Sequence, residues 1–227
     1  GPPSWADRHT GDSMARAAVS TGIEIEYETF GSTDNPALLL VMGFTAQLTA
    51  WHEEFCQGLA NKGYFVIRYD NRDCGLSTKF DGVAVDAPAV MAAALSGQPL
   101  PPVPYTLSDM AADGIALLDH LGSKKAHVAS ASMEGMIVQM MAIEFADRLR
   151  SMTSIMSMTG DPNYGQAAPE AMAALLAAPP TERAAYIESA QNWTIWASKK
   201  YANLAEMRDR AGREDRKSTR LNSSHGY

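Results

Sequence analysis

The sequence has few cysteines, no long apolar run and no excess of basic residues, and each absence excludes a class of protein. Cys56 and Cys74 are its only cysteines, too few for a disulfide framework, which favours a reducing compartment and a cytoplasmic location. No apolar run reaches the ~18 residues that a membrane span needs. A net charge of −7 argues against a surface for nucleic acid or anionic lipid.

Apolar runs typical of strands alternate with amphipathic runs typical of helices. We expect a hairpin over 18–30. Further segments of regular structure are expected, in chain order, at 37–42, 48–62, 64–70, 105–122, 126–131, 133–145 and 152–158. Of these, 48–62, 105–122 and 133–145 have helical spacing, and Thr106 can cap the second of them. The others are typical of strands. The alternation predicts an α/β fold with a doubly wound, mostly parallel sheet.

The chain divides into four segments by composition. Residues 1–14 have no signal-peptide architecture and are expected to form a disordered leader, and 15–159 contain the α/β core. Residues 160–210 have helical character without a strand pattern, as in a partial helical cap. Residues 211–227 have no apolar periodicity, so we expect a disordered tail.

The stretch "HVASASMEGM" (127–136) carries the clearest chemical signal. A serine exposed on a sharp turn between a strand and a helix is the arrangement of a nucleophile elbow, and Ser132 has that position. The amide of Met133, at the start of the helix, is a candidate oxyanion donor. "VMGF" (41–44) follows an earlier strand, and the Phe44 amide is the second candidate donor.

These motifs together resemble the α/β-hydrolase family, and within it the small esterases and lipases related to the aclacinomycin-type methylesterases. The matching pieces are "LLLVMGF", "RYDNRDCGLS" (68–77) and "ASMEGM", in order between Gly22 and Tyr201. The resemblance implies hydrolysis of a small-molecule ester by a Ser–His–Asp triad, with a helical cap and without a metal or cofactor.

The elbow departs from the family pattern at two positions, because Ser130 and Glu134 stand where glycine is expected. Ser130 adds only a hydroxymethyl group. The longer side chain of Glu134 is expected to be forced out of the strand–helix crossing, and its charge opposes the stabilisation of an oxyanion.

The loop "DNRDCGLS" admits two interpretations. Asp70, Arg72 and Asp73 could take part in acid–base chemistry, or the loop could brace the pocket wall through Arg–carboxylate pairing. We favour the structural interpretation.

The histidines do not complete a triad. In this fold the acid and the histidine follow the serine, but His9, His52, His120 and His127 precede it. His225 lies in the tail without a preceding strand, and "DRKSTRLNSSH" resembles the translated adapter sequence of metagenomic assemblies. We therefore expect a C-terminally truncated esterase, with gene-derived sequence ending near Arg213 and with little or no turnover.

Two functions other than ester hydrolysis occur as alternatives for this sequence. A non-catalytic relative that binds a small apolar ligand or a partner fits the missing base and Glu134. Dehalogenase or epoxide hydrolase chemistry needs a carboxylate at the nucleophile position, where this chain has Ser132.

Overall fold

A six-stranded sheet organises the fold in a computed structural model, which describes residues 15–42, 46–83, 86, 89–90, 93, 98–161, 163–165, 168–177 and 180–212. The strands are β1 (Ala15–Ala18), β2 (Glu24–Phe30), β3 (Ala37–Val41), β4 (Phe65–Tyr69), β5 (Ala126–Ala131) and β6 (Leu149–Ile155). Their order across the sheet is β1-β2-β4-β3-β5-β6.

The four strands from β4 to β6 are parallel, and β1 and β2 form an antiparallel hairpin at one edge. The hairpin turns through Gly22 with a φ of +86°. The predicted mostly parallel α/β sheet is confirmed.

Both faces of the sheet are covered, as the fully buried strand β3 requires. Leu39 and Val41 belong to the larger core, together with helices α2 (Leu107–His120) and α3 (Gly135–Glu144). Leu38 and Leu40 pack on the opposite face with residues of α1 (Glu53–Ala60). Side chains alternate between faces along a strand, so one apolar run supplies both cores.

The start of α2 follows its sequence signal closely. Thr106 caps it: the Thr106 hydroxyl accepts a hydrogen bond from the Asp109 amide, and the Asp109 carboxylate accepts one from the Thr106 amide. The Thr106 amide and the Thr106 hydroxyl both donate to the Asp109 carboxylate, and these bonds hold the pKa of that carboxyl below its usual value.

The helix predicted over 48–62 is shorter than expected. Leu48–Ala50 form a 3₁₀ turn, and α1 begins at Glu53 after an extended Trp51. The amide of Leu48 donates to the buried Asp70 carboxylate at 2.7 Å, and this tertiary contact fixes the turn apart from the helix. The predicted strand over 152–158 is likewise displaced, because β6 pairs with β5 from Leu149 onward.

Helices follow the sheet in the segment assigned to a cap. They are α4 (Pro169–Leu176), α5 (Arg183–Ser189) and α6 (204–212). Ala211 is fully buried and continues α6, and the boundary of the tail at residue 211 stays a prediction. The predicted leader, 1–14, and the remainder of the predicted tail, 213–227, lie outside the described residues.

Candidate active site

Ser132 occupies the turn between β5 and α3 with a left-handed backbone. Its φ is +68°, a conformation that costs a non-glycine residue on the order of 1–3 kcal/mol. The residue is partly exposed, and a 3₁₀ turn over Ser132–Glu134 leads directly into α3. A strained, accessible serine between a strand and a helix has the geometry of a nucleophile elbow.

The start of α3 leaves backbone donors beside this serine. Met133 lies in the 3₁₀ turn, and no side chain caps α3 at Glu134. The first N–H groups of a helix have no intrahelical acceptor, so they can stabilise a developing negative charge. The assignment of the Met133 amide as an oxyanion donor stays a prediction.

The second predicted donor follows β3. β3 is parallel to β5, and Val41 pairs with Ser130, so the two strands end at the same edge of the sheet. Phe44 itself lies outside the described residues, within 43–45.

Hydrogen bonds from one loop hold both ends of the 43–45 segment. The Asn71 side-chain amide donates to the Met42 carbonyl at 3.1 Å. The Cys74 thiol donates to the Ala46 carbonyl at 3.2 Å. The backbone that enters and leaves the segment is therefore tied to the loop after β4.

Asp70 organises that loop rather than facing a substrate. Its buried carboxylate accepts hydrogen bonds from the amides of Leu48 and Leu76, at 2.7 and 2.9 Å. Gly75 lies against the same carboxylate with a φ of +50°, where any Cβ would overlap the carboxyl oxygens. These contacts have the bracing role that the sequence interpretation favoured.

Arg72 provides the expected Arg–carboxylate pairing. Its guanidinium binds the buried Asp113 carboxylate of α2 through two nitrogens and lies over the rings of Phe80 and Tyr105. Hydrogen bonding to Asp113 raises the pKa of Arg72, so the guanidinium stays charged. Asp73 accepts a hydrogen bond from the Phe80 amide.

Ser130 is fully buried on β5, and its hydroxyl has no hydrogen-bond partner among the described residues. The extra hydroxymethyl group is accommodated, because the strand keeps its register with Val41 and Ser154.

Glu134 is buried within the elbow. Its side chain is 4% exposed, and its departure from the strand–helix crossing stays a prediction. Desolvation is the main cause of the raised pKa of both Tyr69 and Cys74, and the negative charge of Glu134 adds to each shift. The carboxylate is thus directed into the protein, and the pKa of Cys74 reaches about 12.

Gly135 marks a close contact one residue beyond the motif position. A Cβ at Gly135 would overlap Ser157 and lie 2.8 Å from the Ser154 hydroxyl. The start of α3 therefore passes directly against the chain that follows β6. The motif pattern does not identify Gly135, although Glu-Gly follows Ser-Met in the sequence.

The described histidines do not form a hydrogen bond with Ser132. His127 contacts Ser151 at the start of β5, about 16 Å along the strand from Ser132 at ~3.3 Å per residue. His120 packs edge-on against Tyr27.

The other three histidines are placed differently. His52 precedes α1 and lines a surface cavity, while His9 and His225 lie outside the described residues. Within the described ranges, no group of three His, Cys, Asp or Glu side chains is arranged to hold a metal ion. No helix there is long and apolar enough to cross a membrane.

A family model described as the alpha/beta hydrolase fold matches residues 36–202, most of the chain. This chain belongs to the alpha/beta hydrolase fold family. The predicted family is confirmed. The assignment of Ser132, with its φ of +68°, as the nucleophile of the elbow stays a prediction.

Relatives with assigned activities cover part of this hydrolase-fold chain. The chain is 31% identical to a rhodomycin D methylesterase of Streptomyces sp. strain C5 over 137 residues, which are 60% of this chain and 40% of the relative. It is 31% identical to 3-oxoadipate enol-lactonase 2 of Acinetobacter baylyi over 126 residues, 56% of this chain and 39% of that protein. The chain thus spans about 40% of the length of the curated relatives it matches.

A solved structure supports the fold. A 2-hydroxy-6-oxo-6-phenylhexa-2,4-dienoate hydrolase from Rhodococcus sp. strain RHA1 has a TM-score of 0.62 at 17% identity, covering 89% of this chain and 66% of that chain. At this identity the likeness concerns the fold alone.

Proposed function

We propose that this chain is part of a carboxylic ester hydrolase whose nucleophile is Ser132. The observation that carries the proposal is the φ of +68° at Ser132, directly after a parallel strand and before a helix. A serine held in this way presents its hydroxyl at the carboxyl edge of the sheet, where an ester carbonyl can approach.

In the proposed mechanism, the Ser132 oxygen attacks the ester carbonyl and forms a tetrahedral oxyanion. The amides of Met133 and Phe44 donate hydrogen bonds to that oxyanion. Collapse expels the alcohol and leaves an acyl-serine, which water then hydrolyses. A histidine takes the serine proton and returns it to the leaving alcohol, and an acid orients the histidine.

We propose that the histidine and the acid belong to a longer protein. The absence of a histidine bonded to Ser132 within the described residues and the 40% coverage of the relatives support this. Loss of the base from a serine triad costs on the order of 10⁶ in rate, so these 227 residues should turn over esters very slowly.

The proposed substrate class is a small carboxylic ester. One relative is named a methylesterase and another an enol-lactonase, and an ester and a lactone share the same carboxylic ester group. The helices α4 to α6 support the assignment of 160–210 as part of a cap over the pocket. The two unbridged cysteines support a cytoplasmic location.

Covalent labelling tests the nucleophile without requiring turnover. We expect a fluorophosphonate probe to modify Ser132 slowly and Ser132→Ala to abolish the labelling. Ser108→Ala, which changes a half-buried serine on α2, should leave the labelling unchanged. Equal labelling of Ser132→Ala would contradict the proposal. Rapid p-nitrophenyl ester turnover that depends on Ser132 would contradict the requirement for a base from outside these residues.

A non-catalytic binding protein is the second candidate, favoured by the buried carboxylate of Glu134 within the elbow. Ser130→Gly and Glu134→Gly, introduced into the uninterrupted gene product, distinguish the two functions. Ester turnover in that variant supports the hydrolase, and inertness towards short and long acyl esters supports binding.

A further inference from the structure

An open cavity of about 260 Å³ lies between α1 and α6, separate from the elbow. It is lined by Ala50, Trp51, His52, Phe55 and Glu206. Two aromatic rings, one carboxylate and one imidazole thus face a volume that can hold a small organic molecule.

The two rings form a stacked pair with centroids 5.6 Å apart and planes 18° apart. Phe55 is 48% exposed, which is high for a large apolar ring, so part of its surface is available to a ligand. An exposed aromatic face attracts cations through its quadrupole.

Trp51 contributes a hydrogen-bond donor with no acceptor. The residue is only 9% exposed, and its indole Nε1 has no hydrogen-bond partner among the described residues. A buried N–H without a partner is costly. The nitrogen is enclosed, so the indole has to turn towards the cavity for an oxygen on a ligand to accept its hydrogen bond.

The lining contains one carboxylate, and the nearest described cation is paired: the Arg68 guanidinium binds the Trp51 carbonyl and forms an ion pair with Glu28. The Glu206 carboxylate takes part in no ion pair within the described ranges. The amino terminus of α1 carries about half a positive charge, but Glu53 and Glu54 in its first turn offset it.

We propose that this cavity binds an organic ammonium group that carries a nearby oxygen. The ammonium lies against Phe55 and the Glu206 carboxylate, and the oxygen accepts the hydrogen bond of the Trp51 indole. The site goes beyond the proposed ester hydrolysis and does not depend on it, because its occupation is measured as binding.

Choline and 3,3-dimethylbutan-1-ol form a matched pair of probes, since they share shape and hydroxyl group and differ in the positive charge. Saturation-transfer NMR on the nine methyl protons of each compound measures binding to the full 227-residue chain at micromolar protein. We expect choline to bind about tenfold more tightly than the alcohol, because its ammonium group interacts with both the Phe55 ring and the Glu206 carboxylate.

Three variants complete the test. Glu206→Gln and Phe55→Leu should each weaken choline binding several-fold without changing that of the neutral alcohol, and both alter exposed side chains. Glu170→Gln, an exposed glutamate in α4, should leave choline binding unchanged. Equal binding of the two probes, undetectable choline binding, or a Glu206→Gln affinity equal to that of the unsubstituted chain would overturn the inference.

Discussion

Arg72 and Asp113 form a buried ion pair with two contacts. The Arg72 Nε lies 2.6 Å from one carboxylate oxygen, and a terminal nitrogen lies 2.7 Å from the other. Thr21 donates to the same carboxylate at 2.6 Å. The ion pair connects the loop after β4 to α2, and the Thr21 hydrogen bond connects the β1–β2 turn to the same carboxylate.

Removal of the Asp113 carboxylate leaves the Arg72 charge buried without its partner. We expect Asp113→Ala to lower the free energy of unfolding by about 3–5 kcal/mol, measured by urea denaturation. Asp119→Ala is the matched control, because it breaks an Arg148 pair in which the Asp119 side chain is 55% exposed, and should cost under ~1 kcal/mol. Similar losses in both variants would show that burial does not govern the strength of the pair.

The contact at Gly135 makes a second prediction. Gly135→Ala places a methyl group on Ser157, so unfolding free energy should fall by about 1–3 kcal/mol. Gly58 lies in α1, and no atom is within 4 Å of a Cβ added there. Gly58→Ala should therefore raise the free energy of unfolding by up to ~1 kcal/mol. If Gly135→Ala leaves the free energy of unfolding unchanged in thermal and urea denaturation, α3 does not contact Ser157 at this position.

Glu134 is predicted to slow the chemistry at Ser132. Its negative charge opposes the developing oxyanion, so Glu134→Gln should raise the rate of fluorophosphonate labelling about tenfold, or ~1.4 kcal/mol. Glu144→Gln changes the other end of α3 and should not alter the rate. An unchanged rate in Glu134→Gln would mean that the carboxylate does not act on the nucleophile.

β6 is predicted to make the isolated chain associate. It pairs with β5 alone among the described strands, and its side chains, including Met152 and Ile155, are largely exposed. Exposed apolar edge strands promote aggregation, so light scattering should detect large species. Met152→Lys should reduce them, and Ile143→Lys, an exposed isoleucine on α3, should not. A monomeric peak in gel filtration would contradict this prediction.

Local signals predicted the parts of the fold that local contacts determine. The bounds of β5, 126–131, and the cap of α2 at Thr106 were both correct, since an apolar run and a capping box act within a few residues. The position of Ser132 followed from the same strand-to-helix boundary. The structural role of the Asp70 loop was also anticipated, because an Arg–carboxylate pair was expected there.

Long-range contacts account for what the sequence did not predict. Leu48 is separated from α1 by a bond to Asp70, 22 residues away, which no helical periodicity encodes. The contact of Gly135 with Ser157 joins a helix to the chain beyond β6, which no local pattern encodes. The cavity between α1 and α6 is lined by segments about 150 positions apart, so the sequence did not predict that its aromatic and acidic side chains lie close together.

The anchoring of Met42 and Ala46 by Asn71 and Cys74 has a kinetic consequence. Both points are fixed when the chain folds, so the entropy of holding them together is lost before any substrate arrives. Under the proposed ester hydrolysis, a substitution at Asn71 should therefore act on the activation entropy of acylation more than on the affinity for the ester.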